Sequence, residues 1–265
     1  MGKLKLESVG ENEWFFVWPR ITDEANDIFF NGLDCLDEGK TTKAKQLFEK
    51  ALALFPEHID ALHHLSITAG NKKEEIELNE KAVNIGLNAF PKKFNETSRL
   101  EWGWTENRPF LRAYNSKGLI ALDGGKTEEA IKIFNQIISW NPNDNQGVRM
   151  LLADIYTNNR MWDKMIELSK KYPNDYDPNM NFGFSLTLFK LGKKEEATKE
   201  LKKSIKKFPL CGKILLEKNP KKPKSNMPGY ITVGGKDQAY EFWEGQGKSW
   251  REQEVKEWLE SAMTE

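Results

Sequence analysis

An apolar residue followed by proline recurs along this chain at a degenerate spacing of about 34 residues. It is met at Phe55-Pro56, Phe90-Pro91, Trp140-Asn141-Pro142, Tyr172-Pro173 and Phe208-Pro209. Upstream of Pro56, small and aromatic residues stand at Gly32, Gly39, Ala44, Phe48 and Ala51. The same offsets from Pro142 meet Gly118, Gly125, Ala130, Phe134 and Ile137, and those from Pro209 meet Gly192, Ala197 and Leu201. A repeat of this length is one supersecondary unit that buries its apolar face only by stacking on its neighbours. The mid-unit glycine is expected to end one helix and open a turn, where a residue without a side chain accepts positive φ cheaply. The alanine after it is expected where two helices cross closely.

These positions resemble those of the tetratricopeptide (TPR) repeat, specifically in units one, three and five and loosely in two and four. Unit two, residues 58–89, has a short turn at Gly70-Asn71-Lys72, and unit four, residues 145–173, is contracted at its end. The resemblance implies an all-α, TPR-type helical-hairpin solenoid of about five degenerate repeats.

Composition fits such a stack. The 265 residues are 38 % apolar and 30 % charged, the balance of paired helices that each keep a polar side. Forty basic and forty acidic residues cancel, so bulk charge attracts neither nucleic acid nor an anionic membrane, and neither is expected as a partner. Cys35 and Cys211 lie too far apart in sequence to frame a disulfide scaffold or a zinc site, which points to a reducing cytoplasm. The first thirteen residues lack a signal-like apolar run, and Leu6 stands where a myristoylated Gly2 would call for serine or threonine. No stretch is long enough to span a bilayer.

Four segments are expected. Residues 1–22 hold Trp14-Phe15-Phe16-Val17-Trp18-Pro19, read as an extended aromatic cap over the first hairpin. Residues 23–210 carry the repeats, interrupted by an insertion at about 92–108 with Trp102 and Trp104. Residues 211–235 read as a basic, proline-broken linker, and residues 236–265 as a helical extension with helices at 237–245 and 250–263.

Longer strings carry a narrower likeness. They are Leu100-Glu101-Trp102-Gly103-Trp104 with 106–113, the stretches 141–149 and 56–65, and the tail residues Gln238-Ala239-Tyr240-Glu241, Trp250 and Trp258-Leu259. Together they resemble a group of bacterial TPR proteins, and the resemblance implies no particular activity. Glu254-Val255-Lys256-Glu257 departs from that group, being more charged and without glycine.

Catalytic patterns fail on inspection. Residues 229–237 approach a phosphate loop, but Gly235 stands in the place of the lysine and no hydroxyl follows it. Phe182-Gly183-Phe184-Ser185 lacks the second glycine of a nucleophile elbow. Cys35 falls on an inward, small position, as a packed thiol does. Asp60 with His63 or His64 has helical ligand spacing, yet a structural zinc site calls for four ligands. Lys218, Lys221, Lys222 and Lys224 lack interleaved aromatics and are broken by prolines, as in a solvated linker. No enzyme activity, cofactor or metal is expected.

What remains is the groove that the first helix of each hairpin lines, through its second, fifth and ninth positions. These are Asn26, Phe29, Leu33; Asp60, His63, Ile67; Arg112, Asn115, Leu119; Gln146, Arg149, Ala153; and Asn179, Phe182, Leu186. Phe29 and Leu33 stand where a chaperone-binding carboxylate clamp has lysine and asparagine. Arg112 and Arg149 are placed to share one anion, with Asn115 and Gln146 as donors, or else to brace the stack on Glu106, Asp144 or Asp154. The expectation is a non-catalytic scaffold that binds a protein or peptide through Arg112, Asn115, Gln146, Arg149, His63 and Phe182. A small-anion or nucleotide sensor, or a self-assembling structural protein, are the alternatives.

Overall fold

The computed structural model describes residues 3–19, 22–224 and 230–264. Gly2, the 225–228 part of the basic linker and Gly229 of the phosphate-loop-like string lie outside the described residues. The chain divides into two compact units, Met1–Val148 and Arg149–Glu265, here the N- and C-terminal bodies.

Five successive helical hairpins follow the repeat: α1 (Thr22–Asp37) with α2 (Thr41–Leu54), α3 (Ile59–Ile67) with α4 (Lys72–Asn88), α5 (Arg108–Asp123) with α6 (Thr127–Trp140), α7 (Val148–Asn158) with α8 (Trp162–Lys171), and α9 (Pro178–Lys190) with α10 (Lys194–Lys207). The predicted turns form as the repeat demands. Gly39, Gly125 and Gly192 have φ of 75°, 73° and 78°, each donating its N–H back to the last helical turn. In the fourth hairpin Arg160 takes the same conformation, at φ 56°, its N–H donating to the Thr157 carbonyl and that of Met161 to the Tyr156 carbonyl. That non-glycine residue hides the fourth turn from a glycine count. The repeat's other glycines serve close approach: a Cβ on Gly32 would lie 2.5 Å from the Phe48 ring, and one on Gly118 2.3 Å from that of Phe134. In the second hairpin, Asn71 caps α4 by accepting from the Glu74 N–H.

The N-terminal aromatic segment is an antiparallel β-hairpin, β1 (Lys5–Ser8) with β2 (Trp14–Val17), a local departure from the all-α expectation. Its period of two buries Leu4, Leu6, Trp14 and Phe16 on one face. The expected seat was the first hairpin, but Phe16 packs on Phe90 and Phe110, at ring distances of 6.3 and 5.3 Å, while Trp18 packs on Phe55 and Leu52 of that hairpin borders the same core. Asn107, fully buried, explains the position. Its Oδ1 accepts from the Phe16 N–H, and its Nδ2 donates to the carbonyls of Trp14 and Glu101. One amide thus satisfies the strand and the insertion at once, where an unpaired buried group would cost about 1–3 kcal/mol. The insertion is tied down further by the Leu100 N–H to the Trp140 carbonyl.

In the C-terminal body, a short α11 (Pro209–Ile214) follows α10, then come α12 (Lys236–Gln246), a 3-10 turn (Gly247–Trp250) and α13 (Gln253–Thr264). Phe182, Leu186 and Leu201 of the last hairpin share one core with Phe242, Trp250, Val255 and Leu259 of this tail. Asp237 accepts from the Thr232 N–H at 2.7 Å beside the start of α12. Both cysteines are free and buried, as packed thiols, and burial pushes the Cys211 thiol up to about 12.

Candidate functional site

In the N-terminal body the first helices α1, α3 and α5 present the predicted groove positions. Phe29 sits at the join of α1 and α3, its ring 5.0 Å from that of His58 and 5.1 Å from that of His64. Beside it a cavity of about 540 Å³ opens between these helices and the insertion, walled by Trp18, Phe30, Leu33, Phe55, Arg108 and Arg112. Phe30 is 58 % exposed there, although its place next to a groove position did not single it out. Ile67 and Leu119, both at ninth positions, are also exposed.

Arg112 does line this face, and it is already engaged. Its guanidinium forks onto Asp60, with Nε donating to Oδ1 at 3.0 Å and Nη2 to Oδ2. The brace expected from Glu106 is therefore made by Asp60. Asp60 and Arg112 occupy the same second position in consecutive hairpins, and opposite charge at equivalent positions was the signal that could have found the pair. Trp102 of the insertion lies over both Arg108 and Arg112, at 5.4 and 5.9 Å.

The three histidines are structural. His58 caps α3, its Nδ1 accepting from the Ala61 N–H, which leaves the proton on Nε2. His64 donates from Nδ1 to the Asp60 carbonyl at 2.8 Å. His63 is buried, with Ser116 Oγ 3.4 Å from its Nδ1. Burial drives His58 and His63 down to about 4 and lowers His64 as well, so all three are neutral near pH 7. Asp60 spends both oxygens on Arg112, and among the described residues no group of three or more His, Cys, Asp or Glu is placed to hold a metal. Asn115 and Gln146 are half-buried rather than displayed: Gln146 donates to the Leu111 carbonyl, while Asn115 Oδ1 and Gln146 Oε1 are buried without a hydrogen-bond partner.

In the C-terminal body the corresponding face is covered by the chain itself. Phe182, expected to line an open groove, is wholly buried against Phe242 and Trp250, at ring distances of 4.9 and 5.7 Å. The correction has a plain cause. α12 lies on α9, and Gln246 donates from Nε2 to Asp154 Oδ1 and to the Asn179 carbonyl. Asn179 Nδ2 also donates to Asp154. Burial raises Asp154 to about 7 in spite of these donors, and Asp177 to about 6 in spite of the Asn179 N–H that it accepts. Arg149 is held within this body by Asp175, with Nη2 to Oδ1 at 3.4 Å and Nε to Oδ2, and lies 5.6 Å from the Tyr172 ring. Asp175 sits in the loop before α9, outside the repeat positions, so the spacing gave no hint of it.

The hairpins and their groove-lining first helices define a TPR-type helical-repeat protein. Solved structures agree: MamA is 21 % identical, with 76 % of this chain and 98 % of MamA covered and a TM-score of 0.50. The kinesin light chain TPR-like repeats of Podosopora anserina are 16 % identical, with 72 % and 97 % covered and a TM-score of 0.50. No curated protein matches. The model of the Tcf25 family, described as transcriptional repressor TCF25, matches residues 39–265, and the chain belongs to that family. The bacterial TPR group suggested by the longer strings is not the family that matches. Among the described residues no helix is long and apolar enough to cross a membrane.

Proposed function

We propose that this chain is a protein-interaction scaffold whose partner segment lies in the groove of the N-terminal body, over Phe29, Phe30 and Leu33 and against the Asp60–Arg112 pair. The fold class is one of interaction scaffolds, and the carrying observation is that this groove stays open and aromatic while its counterpart in the C-terminal body is filled by α12. An exposed phenylalanine at the mouth of a cavity is surface that a partner's apolar side chain would remove from water, at about 25 cal/mol per Å². His58, His64 and Arg112 line the cavity, and the sequestered guanidinium favours a polar or backbone contact over capture of a free anion. The family's description makes a transcription-related assembly the first place to seek the partner, and it lends no support to the expected absence of nucleic acid from such an assembly.

A photo-reactive residue at position 30 tests the reading. Proteins captured from position 30, but not from exposed Tyr230, are expected to bind wild type and to lose affinity at least tenfold for Phe30→Asp. Equal affinity for the two would remove the groove from the hypothesis.

A further inference from the structure

α9 is apolar on two opposite sides. Phe182 and Leu186 join the core shared with the tail, whereas Met180, Phe184 and Leu188 line a cavity of about 770 Å³ between α8, α10 and residues 172–176. Within the C-terminal body this cavity is separate from the face that α12 covers.

The charges around it do not balance. Glu200 is paired with Lys203 at 2.7 Å, Glu196 lies 3.9 Å from Lys193, and Asp175 is taken by Arg149. Lys170 and Lys207 also line the cavity, and neither has a carboxylate partner among the described residues. Lys207 donates to the Asp175 carbonyl and lies 3.8 Å from the centroid of the Tyr176 ring, itself 78 % exposed. A recess with an apolar floor, an exposed aromatic at its lip and two uncompensated ammonium groups is complementary to a chain with an apolar side chain between acidic ones.

We propose that this cavity is a docking site for a short acidic peptide segment of a partner protein. Its aromatic or branched side chain enters the recess beside Phe184 and Tyr176, and its flanking carboxylates meet Lys170 and Lys207. A nucleic-acid strand fits less well. It carries a phosphate on every nucleotide, and the wall also holds Glu196 and Glu200, which would face those phosphates.

The test uses the full chain and a fluorescein-labelled peptide, Gly-Ser-Asp-Glu-Phe-Glu-Asp-Ser-Gly, read by anisotropy. Wild type is expected to bind it, more weakly as salt rises. Lys170→Glu/Lys207→Glu should weaken binding at least tenfold, and a peptide with lysines in place of its acids should bind that variant better than wild type. Replacing the peptide's phenylalanine by alanine should also weaken binding, while Phe30→Asp in the N-terminal groove should leave it unchanged. No binding by wild type, unchanged affinity in the double variant, or loss through Phe30→Asp would each overturn the proposal. So would tighter binding of labelled oligouridine that the same double variant abolishes. Lys170 is exposed and Lys207 half-buried, and an unchanged thermal melt of the double variant separates lost docking from lost folding.

Discussion

Two phenylalanines at the same repeat position meet opposite fates. Phe29 and Phe182 are both the fifth residue on a hairpin's groove side, yet Phe29 borders an open cavity with the exposed Phe30 at its side, and Phe182 is sealed beneath Phe242 and Trp250. The difference teaches that a groove position specifies an apolar face without specifying what covers it. In the C-terminal body the cover is the chain's own tail, carried in cis, so its ordering belongs to folding. In the N-terminal body the cavity beside Phe29 and Phe30 is open, and the cover proposed for it is a partner's segment.

The sharpest way to break this contrast is to remove the cover's anchor. Trp250→Ala empties a fully buried site and should cost about 3–5 kcal/mol in urea unfolding, while Phe30→Ala at the open cavity should stay within about 0.5 kcal/mol. Similar losses for the two would erase the distinction between a filled and a vacant groove.

Acidity should pull the bodies in opposite directions. His58 and His63 take a proton only near pH 4 when folded but near 6.5 when unfolded, so the unfolded N-terminal body binds more protons between those values and stability falls as pH falls. At pH 5 the loss is roughly 2 kcal/mol per histidine. Asp154 and Asp177 take up protons near 7 and 6 when folded but near 3.9 when unfolded, so their contribution is greatest at low pH and is lost as pH rises through 6 to 7. Hydrogen exchange at pH 5 and 7.5, corrected for intrinsic rates, should find α3 less protected and α9 and α12 more protected at the lower pH. A shift of the same sign in both bodies would contradict this.

Arg112→Ala leaves Asp60, 8 % exposed, without its partner and should cost about 1–3 kcal/mol, less than a fully buried pair because the arginine is one-third exposed. A double-mutant cycle with Asp60→Ala should return a coupling of at least 0.5 kcal/mol, and additivity would mean that the pair does not brace α3 on α5. Smallest of all, Arg160→Gly should raise stability by about 1 kcal/mol by relieving a left-handed turn that the first, third and fifth hairpins give to glycine, as a thermal melt would register.

Much of the fold was legible because hairpin repeats write themselves locally. Gly39, Gly125 and Gly192 mark turns whose φ only glycine takes cheaply, and Gly32 and Gly118 mark where a phenylalanine ring presses on a backbone. The fourth turn was obscured because Arg160 accepts the strain, and the aromatic cap's seat was missed because it depends on Asn107, some 90 residues away. The site was less legible. Arg112 was found but its partner was not, since Asp60 lies 52 residues away and only its opposite charge at the equivalent repeat position marked the pair.

By itself, then, the sequence determined the hairpins, their turns and the helix faces that turn toward a groove, because each rests on contacts within about 34 residues. Tertiary structure alone decided that α12 fills one such face, that Asp60 and Asp175 claim the two arginines, and that one aromatic groove is left open. Those outcomes turn on which distant surfaces bury most together, a competition among apolar faces that are alike in pattern and differ in where the chain brings them.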